Sequence, residues 1–187
     1  MTSLVDEYLS SGRLEEEAAA PVVRPSNLRL VISRAVAELP EGRVVVEAGE
    51  LPAGFPCDPD LLQVAIRNLL ANAERHSPAD RPVSLTATAT KDGGVEIAVA
   101  DEGPGIPPDE LPHLFRKYFR GRGAQGSPGA GLGLYLVDRI ARKHGGSIRV
   151  ESRPGAGTTF RLNPRCQAWV VGLSARITQQ PKPDTGP

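Results

Sequence analysis

The chain has 187 residues, 40% of them apolar, which is enough for one domain of ordinary size with a hydrophobic core. Its 22 basic and 22 acidic side chains cancel, and only 4% of residues are aromatic, so the composition argues against a nucleic-acid partner. The two cysteines, Cys57 and Cys166, form no metal or disulfide pattern, which favours a reducing compartment. No apolar run approaches the roughly 20 residues of a membrane-spanning helix, and no signal peptide opens the chain, so we expect no membrane contact by this chain itself.

The N-terminal part predicts two helices that are separated by prolines. Residues 2–19 have an apolar side, but so short a helix is marginal alone, so it either packs against another helix or frays. Pro21 and Pro25 interrupt the pattern, and Ser26 or Asn27 can cap a second helix that ends at Pro40. The apolar side of this helix comprises Leu28, Val31, Ile32, Val36 and Leu39. After it, residues 43–47 predict a short strand, and residues 51–57 predict a loop or a weak strand.

A third helix is predicted from its cap at Asp58 to about His76, with a polar stripe beside its apolar one. The core stripe comprises Leu62, Ala65, Ile66, Leu69 and Ala73. At about 100° per residue, Asn68, Asn72 and Arg75 lie roughly a third of a turn away from it. Asparagine is a poor residue for a helix interior, its oxygen suits Mg²⁺, and an arginine can meet a phosphate. A solvated helix face is the alternative explanation for this stripe.

A hairpin is predicted from residues 83–90 and 95–100, and its second strand leads into Asp101. Because side chains repeat every second residue, Asp101 projects to the same face as Val95, Ile97 and Val99. A buried carboxylate can accept a hydrogen bond from the amine of adenine. Guanine presents a carbonyl oxygen there, and an unpaired buried acceptor costs roughly 1–3 kcal/mol. An ordinary strand that ends in an Asp-Gly turn is the alternative explanation.

The segment after Asp101 combines an aromatic stretch with a glycine-rich one. Pro107 and Pro108 begin a predicted short helix, and the stretch from Phe115 to Phe119 follows, for which core packing is the ordinary explanation. Residues 121–130 hold four glycines and predict a mobile loop.

Gly129, Gly131 and Gly133 then lead into a further helix, whose free N–H groups and dipole favour an anion. Its apolar side comprises Leu132, Leu136, Val137, Ile140 and Ala141. Lys143 and His144 fall in its last turn, where positive charge is favoured, and two glycines end it.

The C-terminal part predicts a final strand pair at residues 147–151 and 158–162. Residues 168–177 contain the only tryptophan and can form an extra strand, and residues 178–187 are expected to be disordered. The strand-glycine-helix fingerprint for dinucleotides and the Gly-Lys-Ser/Thr phosphate loop are both absent, so base and phosphate would be held by separate segments.

Several segments, in this order, resemble the catalytic ATP-binding domain of sensor histidine kinases, within the Bergerat-fold (GHKL) ATPase superfamily. The run Asn68-Leu-Leu-Ala-Asn72-Ala-Glu-Arg75-His76-Ser resembles the N box of that family, and Asp101-Glu-Gly103-Pro-Gly105 resembles its G1 box. Phe115 to Phe119 resembles the F box, Gly129-Ala-Gly131-Leu-Gly133-Leu resembles the G2 box, and Gly157-Thr158-Thr159-Phe160 resembles the last short motif. Each motif alone is a weak signal, whereas the ordered series is highly specific.

The resemblance implies an α+β fold, a two-layer α/β sandwich in which a mixed, mostly antiparallel sheet packs against about three helices. It also divides the chain into three parts. Residues 1–20 would be the remnant of a preceding helical dimerisation hairpin, residues 21–163 the ATP-binding catalytic domain, and residues 164–187 a partly disordered C-terminal extension.

The resemblance also assigns roles to individual residues. Asp101 would bind the adenine amine with Thr158 behind it, and Asn72 would ligate Mg²⁺. Asn68 would contact the phosphates or assist the metal and Arg75 would contact phosphate, which makes these two the candidate catalytic residues. The loop at residues 119–130 would be the ATP lid. The other implied nucleotide-binding residues are His76, Gly103, Gly105, Ile106, Phe115, Phe119, Gly129, Gly131, Leu132, Gly133 and Leu134.

Kinases of this family pass the γ-phosphoryl group of ATP to a histidine on a dimerisation hairpin, and then to an aspartate of a response regulator. The acceptor motif, a histidine followed by Glu or Asp and then Arg-x-Pro, does not occur in this sequence. We therefore expect the catalytic domain of an ATP-dependent protein histidine kinase that acts on a hairpin outside this chain. Its expected location is the cytoplasm, either free or as the cytoplasmic part of a membrane-bound sensor.

Two other functions remain open on the sequence alone. A serine kinase of the anti-sigma type has the same fold, although the clear F box and the helical remnant argue against it. A nucleotide-dependent interaction module of this fold would bind ATP without transferring phosphate.

Overall fold

The computed structural model describes residues 20–122 and 130–165. The helix predicted for residues 2–19, the strand predicted for residues 168–177 and the disorder predicted for residues 178–187 lie outside the described residues. Within the described ranges the chain forms three α-helices, a five-stranded sheet and a two-stranded sheet.

The larger sheet is mixed and mostly antiparallel, as the resemblance implied. Its strands are β2 (Val44–Ala48), β4 (Val83–Ala89), β5 (Val95–Asp101), β6 (Ser147–Ser152) and β7 (Thr158–Asn163). They are arranged in the order β2-β4-β5-β7-β6. Only β2 and β4 run parallel, and every other neighbouring pair in this sheet is antiparallel. The register places Asp101, at the end of β5, opposite Thr158, at the start of β7.

A second, two-stranded sheet pairs β1 (Arg24–Ser26) with β3 (Phe55–Cys57) in antiparallel register. The sequence predicted a loop or a weak strand at β3 and did not predict β1. Pro25 indicates a break in a local pattern, but a proline is tolerated in a short strand that has a free edge. Here Pro25 lies directly opposite Pro56.

Three helices cover one face of the larger sheet: α1 (Leu28–Val36), α2 (Pro59–His76) and α3 (Gly133–Lys143). Asn27 caps α1, because its Oδ1 atom accepts a hydrogen bond from the Arg29 N–H at 3.0 Å. Ser26, the alternative cap, instead donates to the Arg24 carbonyl. Asp58 caps α2 by accepting from the Leu61 N–H at 3.0 Å, so both predicted helix starts are confirmed.

The core lies between this helical layer and the sheet. Every member of the stripe predicted for α2 is buried in it, together with the inward side chains of β4, β5 and β7. The large side chains at its centre are Phe160, Leu28, Leu62, Ile66, Leu69, Leu70, Leu85, Ile97, Leu136, Ile140 and Leu162. No helix in the described ranges combines the length and the apolar character that crossing a bilayer requires.

His144 corrects a prediction about the end of α3. Its side chain is buried, with 2% of the residue exposed. The Nε2 atom accepts a hydrogen bond from the Asp58 N–H at 3.0 Å, and Nδ1 lies 2.8 Å from the Ile140 carbonyl, to which it donates. An imidazole that accepts at one nitrogen and donates at the other is neutral. His144 therefore joins the end of α3 to the start of α2 and does not place a positive charge at the helix end.

The short helix predicted to begin at Pro107 and Pro108 is smaller than expected. A 3₁₀ turn, Leu111–His113, follows Pro107 and Pro108. It makes no side-chain cap hydrogen bond. Because prolines lack a backbone N–H, a stretch that also includes Pro112 cannot complete the usual helical hydrogen bonds.

Candidate functional site

The carboxylate of Asp101 is buried at the end of β5, as its place in the strand pattern predicted. The residue is 7% exposed, and its Oδ1 atom accepts a hydrogen bond from the Gly103 N–H at 2.8 Å. Burial raises the pKa of Asp101, and this effect is opposed by the Gly103 N–H, by nearby His76 and by the Thr158 N–H. A carboxylate has about four acceptor positions, so Asp101 can accept a further donor.

Gly103 brings the loop after Asp101 against the end of α2. A Cβ atom at this position would lie 2.6 Å from the His76 carbonyl oxygen and 2.7 Å from Asp101 Oδ1. No side chain fits in that space, so a glycine is required where the two backbones meet. Gly105 has a φ of +71° and lies against the Arg153 backbone in the turn between β6 and β7.

A hydroxyl pair connects this loop to β7. Ser152 Oγ accepts from the Ile106 N–H at 2.9 Å and donates to the Gly157 carbonyl at 2.8 Å. Because a serine hydroxyl has one proton, the Thr158 hydroxyl, 2.9 Å away, must donate to Ser152. Thr158 is buried beside Asp101, and Ser152 holds it there. The sequence analysis missed Ser152, whose only signal is its position at the end of the strand that precedes the Gly157-Thr158 motif.

The C-terminal half of α2 presents the polar stripe that the sequence predicted. Asn68 Nδ2 donates to the Val64 carbonyl at 2.8 Å, which leaves its Oδ1 atom as an acceptor. Asn72 is half-buried, and its side chain makes no hydrogen bond to any described residue. Arg75 is exposed and forms no ion pair with an acid in the described ranges. Burial lowers the pKa of His76, Arg75 lowers it further, and Asp101 opposes both effects.

The start of α3 lies against the same face of α2. A Cβ atom on Gly133 would be 3.0 Å from Asn68 Oδ1, so the helix start approaches the asparagine closely. Leu132 precedes α3 with no side-chain cap hydrogen bond, and Leu134 packs partly into the core. Within residues 20–122 and 130–165, the N–H groups of the first turn therefore have no side-chain acceptor, which is the arrangement that suits an anion.

The two phenylalanines of the aromatic stretch have packing contacts in the structure. The Phe115 ring meets the buried Phe160 ring edge-on, with 6.4 Å between centroids. The Phe119 ring lies 5.9 Å from that of His113. The Phe119 carbonyl oxygen would be 2.7 Å from a Cβ atom on Gly131, so the aromatic stretch supports the residues just before α3. Gly129 and most of the loop predicted as a lid lie outside the described residues.

The structure therefore brings the predicted residues together in two groups. One group surrounds Asp101 and includes Gly103, His76 and Thr158. The other group consists of Asn68 and Gly133, which lie close together where α2 meets the start of α3. Asn68 and His76 are eight residues apart on one helix, so the two groups are separated by about 12 Å along α2.

A family model described as "Histidine kinase-, DNA gyrase B-, and HSP90-like ATPase" matches residues 57–168, which is more than half of the chain. The chain belongs to this ATPase family. The matched range contains all the residues of both groups, so the geometry above is that of an ATP-binding domain.

Relatives within this ATPase family are sensor kinases. The chain is 32% identical over 170 residues to the sensor-like histidine kinase SenX3 of Mycolicibacterium smegmatis, covering 87% of this chain and 44% of SenX3. It is 33% identical over 166 residues to the histidine-protein kinase/phosphatase MprB of Mycolicibacterium paratuberculosis, covering 86% of this chain and 31% of MprB. The chain thus spans less than half the length of these relatives.

Solved structures show the same fold. Full-length ShkA in complex with AMPPNP superposes with a TM-score of 0.71 at 29% identity, over 87% of this chain and 35% of ShkA. The mycobacterial sensor histidine kinase MprB superposes with a TM-score of 0.65 at 31% identity, over 78% of this chain and all of the MprB structure. Within the family, the chain is therefore an ATP-binding catalytic domain of the sensor-kinase type.

The polar groups of this ATPase domain fit a magnesium ion only if phosphate oxygens complete its coordination. The described residues contain no cluster of three or more His, Cys, Asp or Glu side chains that could hold a metal ion. The Asn72 side chain makes no hydrogen bond to another part of the described ranges, and Asn68 keeps its oxygen as an acceptor beside Gly133. Mg²⁺ commonly binds in this way, through one or two protein oxygens, substrate phosphates and water.

Proposed function

We propose that this chain binds Mg-ATP between the two groups and transfers its γ-phosphoryl group to a histidine on a separate dimerisation hairpin. From there the phosphoryl group would pass to an aspartate of a response regulator. The observation that supports this proposal most directly is the buried Asp101 carboxylate. It lies on the face of the sheet that the helices cover, as does the contact between Asn68 and Gly133.

Asp101 would recognise the adenine base. Its carboxylate would accept a hydrogen bond from the exocyclic amine, while the Gly103 N–H holds the carboxylate in place. Thr158, held by Ser152, would line the same pocket. A buried carboxylate discriminates against guanine because guanine would place a carbonyl oxygen opposite it, and the unpaired acceptor would cost roughly 1–3 kcal/mol.

The phosphates would lie between α2 and the start of α3. Backbone N–H groups at Leu132, Gly133 and Leu134 would donate to phosphate oxygens, assisted by the helix dipole. Asn72 and Asn68 would hold the magnesium ion, which supplies positive charge to the β- and γ-phosphates when bound. Arg75 would contact a phosphate from the exposed end of α2. In phosphoryl transfer the protein acts mainly by positioning the groups and by stabilising their charge.

The acceptor histidine is proposed to belong to another segment. The three histidines of the chain are His76, His113 and His144, and none begins the acceptor motif. His144 is buried against Asp58 and cannot reach a phosphate. The domain would therefore work on a hairpin presented to it, and alone it would hydrolyse ATP slowly at most.

The test is incubation of the chain with γ-labelled ATP and a separately produced hairpin that carries the acceptor histidine of a sensor kinase such as MprB. Acid-labile label on the hairpin supports histidine phosphotransfer. Acid-stable label on serine in a partner protein would support a serine kinase of the anti-sigma type instead. Tight ATP binding with no transfer to either would support an interaction module. The Asp101→Asn variant, run in parallel, should show neither binding nor transfer.

A further inference from the structure

Arg43 is a largely buried arginine just before β2, and its side chain is 13% exposed. Its two terminal nitrogens donate to five backbone carbonyls at distances from 2.5 to 3.3 Å. All five belong to one segment, residues 74–81, and they are those of Glu74, Ser77, Pro78, Ala79 and Arg81. Arg43 therefore holds the last turn of α2 and the loop that follows it in one arrangement.

The guanidinium group suits this position for two reasons. The last carbonyls of a helix have no partner within the helix, and positive charge is favourable at a helix C-terminus. Arginine also presents its donors as a planar fork, so one side chain can bind carbonyls that point from different directions. Lysine has a single ammonium group and could satisfy only part of this set.

The segment that Arg43 holds forms one wall of the Asp101 loop. The His76 carbonyl oxygen lies 2.6 Å from the position of a Cβ atom on Gly103, so the two backbones are in close contact there. Gly103 in turn donates the 2.8 Å hydrogen bond to Asp101 Oδ1. A shift of the end of α2 would therefore change where the Asp101 carboxylate points.

A second contact joins the same segment to Glu102, the residue that follows Asp101. The Arg81 carbonyl is bound by Arg43, and the Arg81 side chain pairs with Glu102 at 2.8 Å. This pair is exposed and contributes little stability. It does show that the two residues after Asp101, Glu102 and Gly103, both contact the segment that Arg43 fixes.

We propose that Arg43 is a positioning residue for adenine recognition, because it fixes residues 74–81 against the loop that orients Asp101. The proposal rests on the proposed function, in which Asp101 accepts a hydrogen bond from the adenine amine. Arg43 would not touch the nucleotide. Its loss should weaken the interaction with the amine more than the interaction with the phosphates.

The experiment compares Arg43→Ala and Arg43→Lys with the matched control Arg29→Ala. Arg29 Nη2 also donates to two backbone carbonyls, those of Ala48 and Gly49 at 3.3 and 2.7 Å, but these lie at the opposite end of β2 from Arg43. Calorimetry, at a temperature well below the melting point of each variant, gives the affinity for ATP and for purine riboside triphosphate. The second nucleotide lacks the exocyclic amine.

Arg43→Ala should weaken ATP binding roughly tenfold, the size expected for a hydrogen bond to a charged group, and should weaken binding of the analogue much less. The preference for ATP over the analogue would therefore shrink in Arg43→Ala, shrink partly in Arg43→Lys, and stay at the wild-type value in Arg29→Ala. If Arg43→Ala does not fold, the ratio of the affinities for ATP and for the analogue, measured on Arg43→Lys, tests the proposal.

An unchanged preference for ATP in the folded Arg43 variants, with only a lower melting temperature, would overturn the proposal and leave Arg43 a purely structural residue. That result would leave the proposed function intact, provided that the wild-type chain prefers ATP. A wild-type chain that binds both nucleotides equally, or neither, would overturn both proposals together.

Discussion

The Oδ1 atom of Asn68 lies 3.0 Å from the point that a Cβ atom on Gly133 would occupy. The Asn68 side chain cannot simply turn away, because its Nδ2 atom is bonded to the Val64 carbonyl at 2.8 Å. The contact joins the proposed metal-binding face of α2 to the proposed phosphate-binding start of α3.

A first prediction concerns Gly133→Ala. The added methyl group would force Asn68 to shift by a few tenths of an ångström, and the affinity for Mg-ATP should fall about three- to tenfold. Stability should change by less than about 1 kcal/mol, because the helix preference of alanine over glycine offsets part of the strain at Asn68. Calorimetric titration and thermal melting of the same sample separate the two effects.

The control for this change is Gly49→Ala, where the added Cβ atom would meet the Ala87 carbonyl at an ordinary 3.7 Å. It should leave ATP affinity unchanged. If Gly133→Ala binds Mg-ATP as tightly as the wild type, the close approach of Asn68 has no functional importance.

A second prediction concerns Asp101→Asn. The amide would present a donor to the adenine amine, so ATP binding should fall below detection by calorimetry. The fold should persist, because burial already disfavours the charged form of Asp101 and raises its pKa. The substitution replaces that carboxylate with a neutral amide. Circular dichroism checks the fold, and Asp92→Asn, in the exposed turn between β4 and β5, is the matched control. Near wild-type affinity in Asp101→Asn would exclude Asp101 as the adenine acceptor.

A third prediction separates metal binding from nucleotide binding through Asn72→Ala. Because the Asn72 side chain has no protein partner among the described residues, its loss should leave stability within about 0.5 kcal/mol of the wild type. The variant should lose the part of ATP affinity that depends on Mg²⁺ and keep the weaker affinity measured in EDTA. An equal loss with and without Mg²⁺ would count against the metal role.

A fourth prediction concerns the pH dependence of stability through His76. Burial and Arg75 lower the pKa of His76 from its ordinary value of 6.5, so the unfolded chain takes up this proton more readily than the folded one. The contribution of His76 to the free energy of unfolding is therefore complete above pH 6.5. It is lost as pH falls through the lowered pKa that His76 has in the folded chain. Denaturant unfolding without nucleotide should show this loss in the wild type and not in His76→Gln.

Arg75→Gln provides an independent check on the cause of that shift. Removing the neighbouring cation should raise the pKa of His76 toward its ordinary value, and NMR titration of the imidazole reports it directly. A His76 resonance that titrates identically in Arg75→Gln and in the wild type would show that burial alone lowers the pKa.

Much of the fold could be predicted from the sequence because the signals are local. The cap at Asp58, the alternation of Val95, Ile97 and Val99, and the glycine-bounded α3 each depend on a few neighbouring residues. Strand β1 could not be predicted, because its pairing partner β3 lies about thirty residues away and Pro25 masks its pattern. The site residues named from the motifs stay predictions, although the structure places the described ones in two compact groups.

The sequence by itself determined which chemical groups are present and how far apart they lie along each element: a carboxylate at the end of an apolar strand, a polar stripe on one helix and glycines at the start of another. Only the tertiary structure decided what those groups meet. Arg43 binds carbonyls more than thirty residues away, Ser152 orients Thr158 across a turn, and a neutral His144 accepts a hydrogen bond from Asp58, 86 residues distant. Such contacts depend on how the chain packs in three dimensions. A local sequence pattern does not specify which distant residues it will contact.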